Sequence, residues 1–159
     1  MGQVEAFMQE WLRHRRVLEE LLQPIKTEHM DFKPWDNAMT LSELTLHVAY
    51  WSKAFVTLVK TGVNDFAKLV AEEPRASVYQ TMDEIRQTVS QWTEETKQAF
   101  STLRPEDLEV VNVSQHPNFR GPRKLFLQMM RDHEIHHKGQ LFIYARMVGV
   151  KEVPFFIRL

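Results

Sequence analysis

The spacing of apolar residues constrains this chain most. In four long segments they recur at intervals of three and four, the period of one buried helix face, and no stretch alternates apolar and polar over a strand's length. The first segment carries Val4, Phe7, Met8, Trp11, Leu12, Leu18, Leu21 and Leu22 and stops before Pro24. The second opens on a capping box, Thr40 with Glu43, and continues through Leu44, Val48, Trp51, Phe55 and Leu58 to about Lys60, where Thr61-Gly62 closes it. A second capping box, Thr81 with Glu84, opens the third, whose Ile85, Val89, Trp92, Thr96 and Phe100 share a face up to the stop before Pro105. The fourth runs from Pro122 or Arg123 to Val148, with Gly149 at its end. Its inner face is expected to hold Leu125, Met129, His133, Gln140, Tyr144 and Val148, alongside Phe126, Met130, His137 and Leu141.

These segments predict an all-α four-helix bundle, and 159 residues suit a single domain over 1–159. Between them, Phe32 and Trp35 in the loop from Pro24 to Met39 are expected to pack onto the bundle, with Trp35 near a pocket. The stretch from Asn64 to Val78 reads as a short helical turn near Phe66 to Val70 and then a loop through Pro74. In the connection from Leu103 to Lys124, Val110 to Val113 can pair as a short strand. The apolar tail, Val153 to Leu159, is expected to dock back on the bundle.

Composition excludes several function classes. With 20 Lys+Arg against 21 Asp+Glu, the chain does not bind nucleic acid through bulk positive charge, and none is expected as a partner. Arg120, Arg123, Lys124 and Arg131 form a modest basic group that reads as a solvated helix start. No apolar run is long enough to span a membrane, and the first residues lack the pattern of a signal peptide, so a cytoplasmic location is expected. There is no cysteine, which removes disulfides, thiolate metal sites and cysteine nucleophiles. Any metal must be held by histidine and carboxylate.

Histidine is where the sequence points to chemistry. His133 and His137 lie one turn apart, about 40° around a helix axis, so both imidazoles can reach one divalent ion. A catalytic site on such a pair needs a third protein ligand and one open position. The best third candidate is His47, on the face of Leu44, Val48 and Trp51. Each part also has a plain reading. A lone histidine on an apolar face is more often a hydrogen-bonded core residue, and the group of His133, His136 and His137 also fits a polar helix edge. His14, His29 and His116 have no partner at informative spacing and read as surface residues. Trp11, Trp51 and Trp92 read as core.

Two stretches resemble the DinB family, also described as DinB/YfiT-like metalloenzymes. One is Leu44-Thr45-Leu46-His47-Val48-Ala49-Tyr50-Trp51, early in the second helix. The other is Asp132-His133-Glu134-Ile135-His136-His137-Lys138-Gly139-Gln140-Leu141, which meets the family pattern H-x-x-x-H-R/K-G-Q-L in full. The resemblance covers nearly the whole chain. It implies a bacterial four-helix-bundle protein with His47, His133 and His137 as a facial metal site, zinc or nickel being the usual ion, and water or substrate completing the coordination. It also implies a homodimer acting on a small molecule. Family members with known roles include thiol-dependent enzymes, such as bacillithiol S-transferases and mycothiol-dependent isomerases, so a thiol-dependent S-transferase or a hydrolase is the expected activity. With no cysteine in the chain, the thiol would be a low-molecular-weight cofactor. A non-catalytic metal- or small-molecule-binding stress protein is the alternative.

Glu134 is a weak candidate for a general base, Asp132 for an outer-shell partner of a ligand imidazole, and His136 for a secondary ligand. A third reading overlaps the same residues, because His133 to His137 also spells H-E-x-x-H, the zinc-protease signature. Its context is poor. The segment after His137 holds one carboxylate side chain, Glu152, and no extended metzincin motif.

Overall fold

Four long helices build the bundle in the computed structural model, which describes residues 2–63, 66–114 and 116–159. They are α1 (Gln3–Leu22), α2 (Leu41–Thr61), α4 (Met82–Ser101) and α6 (Lys124–Met147), with two short helices, α3 (Phe66–Ala71) and α5 (Pro105–Glu109), between them. Asn64, where the ambiguous stretch begins, lies outside the described residues, as does Gln115 in the later connection. No described helix is long and apolar enough to cross a membrane.

The helix starts follow the sequence closely. The Thr40 hydroxyl accepts from the Glu43 amide while the Glu43 carboxylate accepts from the Thr40 amide, and Thr81 and Glu84 repeat the arrangement on α4. Gly62 ends α2 at φ 71°, a left-handed value that favours glycine. A Cβ there would lie 2.7 Å from Asn112 Oδ1 and 2.8 Å from Arg123 Nη2, so the position is closed by space as well as by backbone.

α2 packs against α4 and α6, and α1 packs against the same two helices. α1 and α2 are therefore diagonal across the bundle. The core they enclose falls into two apolar clusters. One gathers Leu18, Leu21, Leu44, Val48, Ile85 and Leu141; the other gathers Trp11, Trp51, Phe55, Phe100, Phe126 and Met130. On three helices a buried polar residue separates them, Arg15, Thr93 and Glu134, and Ser52 of α2 is buried with these.

Several expectations need correction. α6 buries Phe126, Leu127, Met130, Glu134, Lys138, Leu141, Tyr144 and Ala145, so its inner face is turned toward Glu134 and Lys138, and the histidines flank it. The apolar spacing could not show this, because charged side chains face the core there. Phe32 packs edge-on against Tyr144, but Trp35 is 61% exposed. The predicted strand shortens to β1 (Val111–Asn112), paired antiparallel with β2 (Gly121–Pro122). The tail does return, held by its backbone: the Arg158 amide donates to the Arg13 carbonyl and Lys138 Nζ donates to the Phe156 carbonyl. Phe155 and Phe156 remain exposed.

Candidate metal centre

His47 sits in the second turn of α2, and His133 and His137 lie one turn apart near the middle of α6. The contact between α2 and α6 brings the three rings together, with centroids 4.9 Å (His47 to His133), 4.8 Å (His47 to His137) and 4.3 Å (His133 to His137) apart. One ligand atom from each lies within 4.8 Å of the others, and no further histidine or carboxylate among the described residues joins the group. His136 is exposed, its ring 4.7 Å from His137, and stays outside.

The outer nitrogens of two of the rings are engaged. His47 Nδ1 is 2.5 Å from Glu73 Oε1, and His137 Nδ1 is 2.7 Å from Gln140 Oε1. That leaves Nε2 of both rings facing the cluster, where His47 Nε2 lies 3.0 Å from His133 Nε2. His133 Nδ1 is buried without a partner, and packing against Phe55 at 5.8 Å positions this ring. Burial, reinforced by His137, His47 and His136, pushes the His133 pKa down to about 3. Burial also lowers His137, against the opposing hydrogen bond to Gln140. Both rings are thus held neutral, the form that ligates metal. Three imidazoles, two of them braced from behind, fit a divalent ion with one side left for a fourth donor.

Glu73 escaped the sequence reading. It follows α3, 26 residues from His47, and no motif links them. It also accepts from Trp51 Nε1 at 3.0 Å. Burial opposes ionisation of this carboxyl, but the hydrogen bonds from His47 and Trp51 outweigh it and hold the pKa below the usual value. Gln140 was legible in principle, one turn beyond His137 on the same helix.

Glu134 has a different role from the one its spacing suggested. It is fully buried, and Oε1 accepts from Arg15 Nε at 2.8 Å while Oε2 accepts from Arg15 Nη2 at 2.7 Å. Ser52 Oγ and Trp11 Nε1 complete its shell at 3.0 and 3.3 Å. A carboxylate so committed is a structural anion and not a free base, which removes the base that the H-E-x-x-H reading requires. Asp132 faces away and accepts from Arg131. His14, expected at the surface, is buried and accepts from Lys138 Nζ at 2.8 Å. The basic group is engaged as well. Arg123 caps the Val59 and Lys60 carbonyls at the end of α2, Lys124 pairs with Glu109, and Arg131 pairs with Glu10.

Known proteins share this architecture. The uncharacterized protein YjoA of Bacillus subtilis (strain 168) is 29% identical over 162 residues, covering 98% of this chain and 97% of that protein. The crystal structure of YjoA, a DinB-like protein, superposes with a TM-score of 0.81 at 27% identity, covering 97% of this chain and 99% of that one. A DinB-like protein from Bacillus cereus ATCC 10987 superposes at 0.67 with 20% identity, covering 95% of each chain. The mycothiol-dependent maleylpyruvate isomerase superposes at 0.68 with 14% identity, covering 88% of this chain and 61% of that one, a likeness of fold. The sequence pattern of the DinB family matches residues 1–158, and the chain belongs to that family.

Proposed function

We propose that this protein is a divalent-metal-dependent enzyme in which His47, His133 and His137 hold the ion and a fourth position takes water or an external thiol. The observation that carries the reading is the convergence of three ligand atoms within 4.8 Å of one another, with no fourth protein ligand among the described residues. When bound, such an ion supplies Lewis acidity, bringing a coordinated water or thiol toward ionisation near neutral pH. The chain's own part is to orient the ligands. Glu73 and Gln140 brace His47 and His137 from behind, and burial keeps His133 neutral.

The reaction is a transfer to, or hydrolysis of, a small electrophilic molecule, with zinc or nickel as the ion. The fold shared with a mycothiol-dependent isomerase supports a low-molecular-weight thiol as co-substrate, and a chain without cysteine must take that thiol from outside. A cavity of about 540 Å³, walled by Asn37, Met39, Glu43, Val70, Glu73 and Arg75, reaches Glu73 on the outer side of His47. The protein would work in the cytoplasm as a homodimer, the exposed Ile135, Ile143 and Met147 on α6 offering apolar surface for a second copy.

Metal content of untagged protein purified without chelator, measured by elemental mass spectrometry beside His47→Ala, tests the reading. About one divalent ion per chain, lost in the variant, is the expected result. Absence of metal after zinc, nickel, manganese and iron have each been offered overturns it. Metal binding without turnover in thiol-transfer and hydrolase screens leaves the non-catalytic binding protein as the account.

A further inference from the structure

Glu73 lies outside the four-helix scaffold, on the segment from Phe66 to Val78 that crosses beside α2. That segment touches the bundle at three places close to the histidines. Phe66 packs against Trp51 at 5.6 Å, Tyr50 Oη donates to the Leu69 carbonyl at 2.7 Å, and the two oxygens of Glu73 take His47 Nδ1 and Trp51 Nε1. The last contact has a chemical consequence. An ionised carboxylate only accepts hydrogen bonds, so the atom facing Glu73 Oε1 at 2.5 Å must carry the proton. A neutral His47 is then protonated on Nδ1 and turns a bare Nε2 lone pair toward His133 and His137. In the other tautomer Nε2 would carry the proton and could not ligate.

We propose that Glu73 is a positioning residue that fixes His47 in its Nδ1–H tautomer, and that it thereby couples docking of the Phe66–Val78 segment to occupancy of the three-histidine site. The inference rests on the metal-centre reading for its second half, whereas the tautomer is a property of the metal-free chain. Coupling is reciprocal. A cation on Nε2 makes the Nδ1–H a stronger donor to Glu73, so an occupied site holds the segment down, and a docked segment holds the ion.

The test compares the full chain as wild type, Glu73→Gln and Glu73→Ala, with isotope-labelled histidine at about pH 8, above the ordinary histidine range. Nitrogen NMR separates the two tautomers, and the His47 signal is identified by its loss in His47→Ala. Wild-type His47 is expected as the Nδ1–H form with and without zinc. Glu73→Ala is expected to shift metal-free His47 toward the Nε2–H form and to lower zinc affinity by about 10–100-fold, the usual effect of losing an outer-shell partner. Zinc should slow backbone hydrogen exchange across Phe66–Val78 in the wild type and fail to do so in the variant. Glu73→Gln keeps one acceptor oxygen and should fall between; it carries the comparison if Glu73→Ala does not fold. Wild-type His47 found mainly as the Nε2–H form overturns the proposal, as does a Glu73→Ala protein with unchanged tautomer and zinc affinity. A wild type in the Nδ1–H form that binds no zinc overturns the coupling and the metal-centre reading, and leaves Glu73 only as the residue that sets the tautomer.

Discussion

α6 carries two pairs of polar side chains one turn apart, offset by a single residue: His133 with His137, and Glu134 with Lys138. The second pair is closed. Glu134 is matched by Arg15, Ser52 and Trp11, and Lys138 by His14 and the Phe156 carbonyl. The first pair is open. Its rings are braced or packed on their outer sides, while the Nε2 atoms converge on a space that holds no fourth protein ligand among the described residues. Burying ions is tolerable when every donor and acceptor is paired, so the closed pair ties α6 to α1 and α2. An open cluster adds little to stability, and its arrangement makes sense through a ligand. The same few residues therefore separate into a part that holds the fold and a part left open toward a ligand.

The largest effect should come from breaking the closed pair. Glu134→Ala leaves the Arg15 guanidinium buried without its counter-charge, and urea unfolding should show a loss of about 3–5 kcal/mol. Replacing both partners at once, Arg15→Met with Glu134→Leu, should recover most of that loss; a double variant as unstable as the single one would show that the apolar clusters cannot close over the gap. The open pair should respond the other way. Zinc at about 100 times its dissociation constant should raise the unfolding free energy by about 2.7 kcal/mol. His133→Ala should abolish that increment and change zinc-free stability by about 1 kcal/mol or less, because the ring it removes leaves a buried nitrogen unpaired in the wild type. A smaller effect sits at the start of the helix that carries His47. Thr40→Ala removes the cap on the Glu43 amide and should lower stability by about 1 kcal/mol in a thermal melt, without changing the number of zinc ions bound.

The helices and their capping boxes were legible in the sequence because both are local: a period of 3.6 residues and a partner three positions on. His133 and His137 were legible for the same reason. His47 was named as the third candidate from its apolar face and the family pattern strengthened it, but its convergence on the pair is a tertiary fact. Glu134 and His14 were misread, and the burial of Lys138 was not foreseen, because a charged or polar side chain gives no sign of being buried until its partner is known, and Arg15 lies 119 residues from Glu134. Glu73 was invisible for the same reason. It belongs to a segment without periodicity, and only the docked path of that segment sets its carboxylate behind His47.

A crystal structure of zinc-loaded protein, with the ion located by its anomalous scattering, tests the central claim most directly. The account predicts one ion bonded to Nε2 of His47, His133 and His137, a fourth donor that is not part of the chain, and Glu73 still on His47 Nδ1. An ion bound elsewhere, or one whose coordination is closed by a fourth protein ligand such as Glu73, would contradict it.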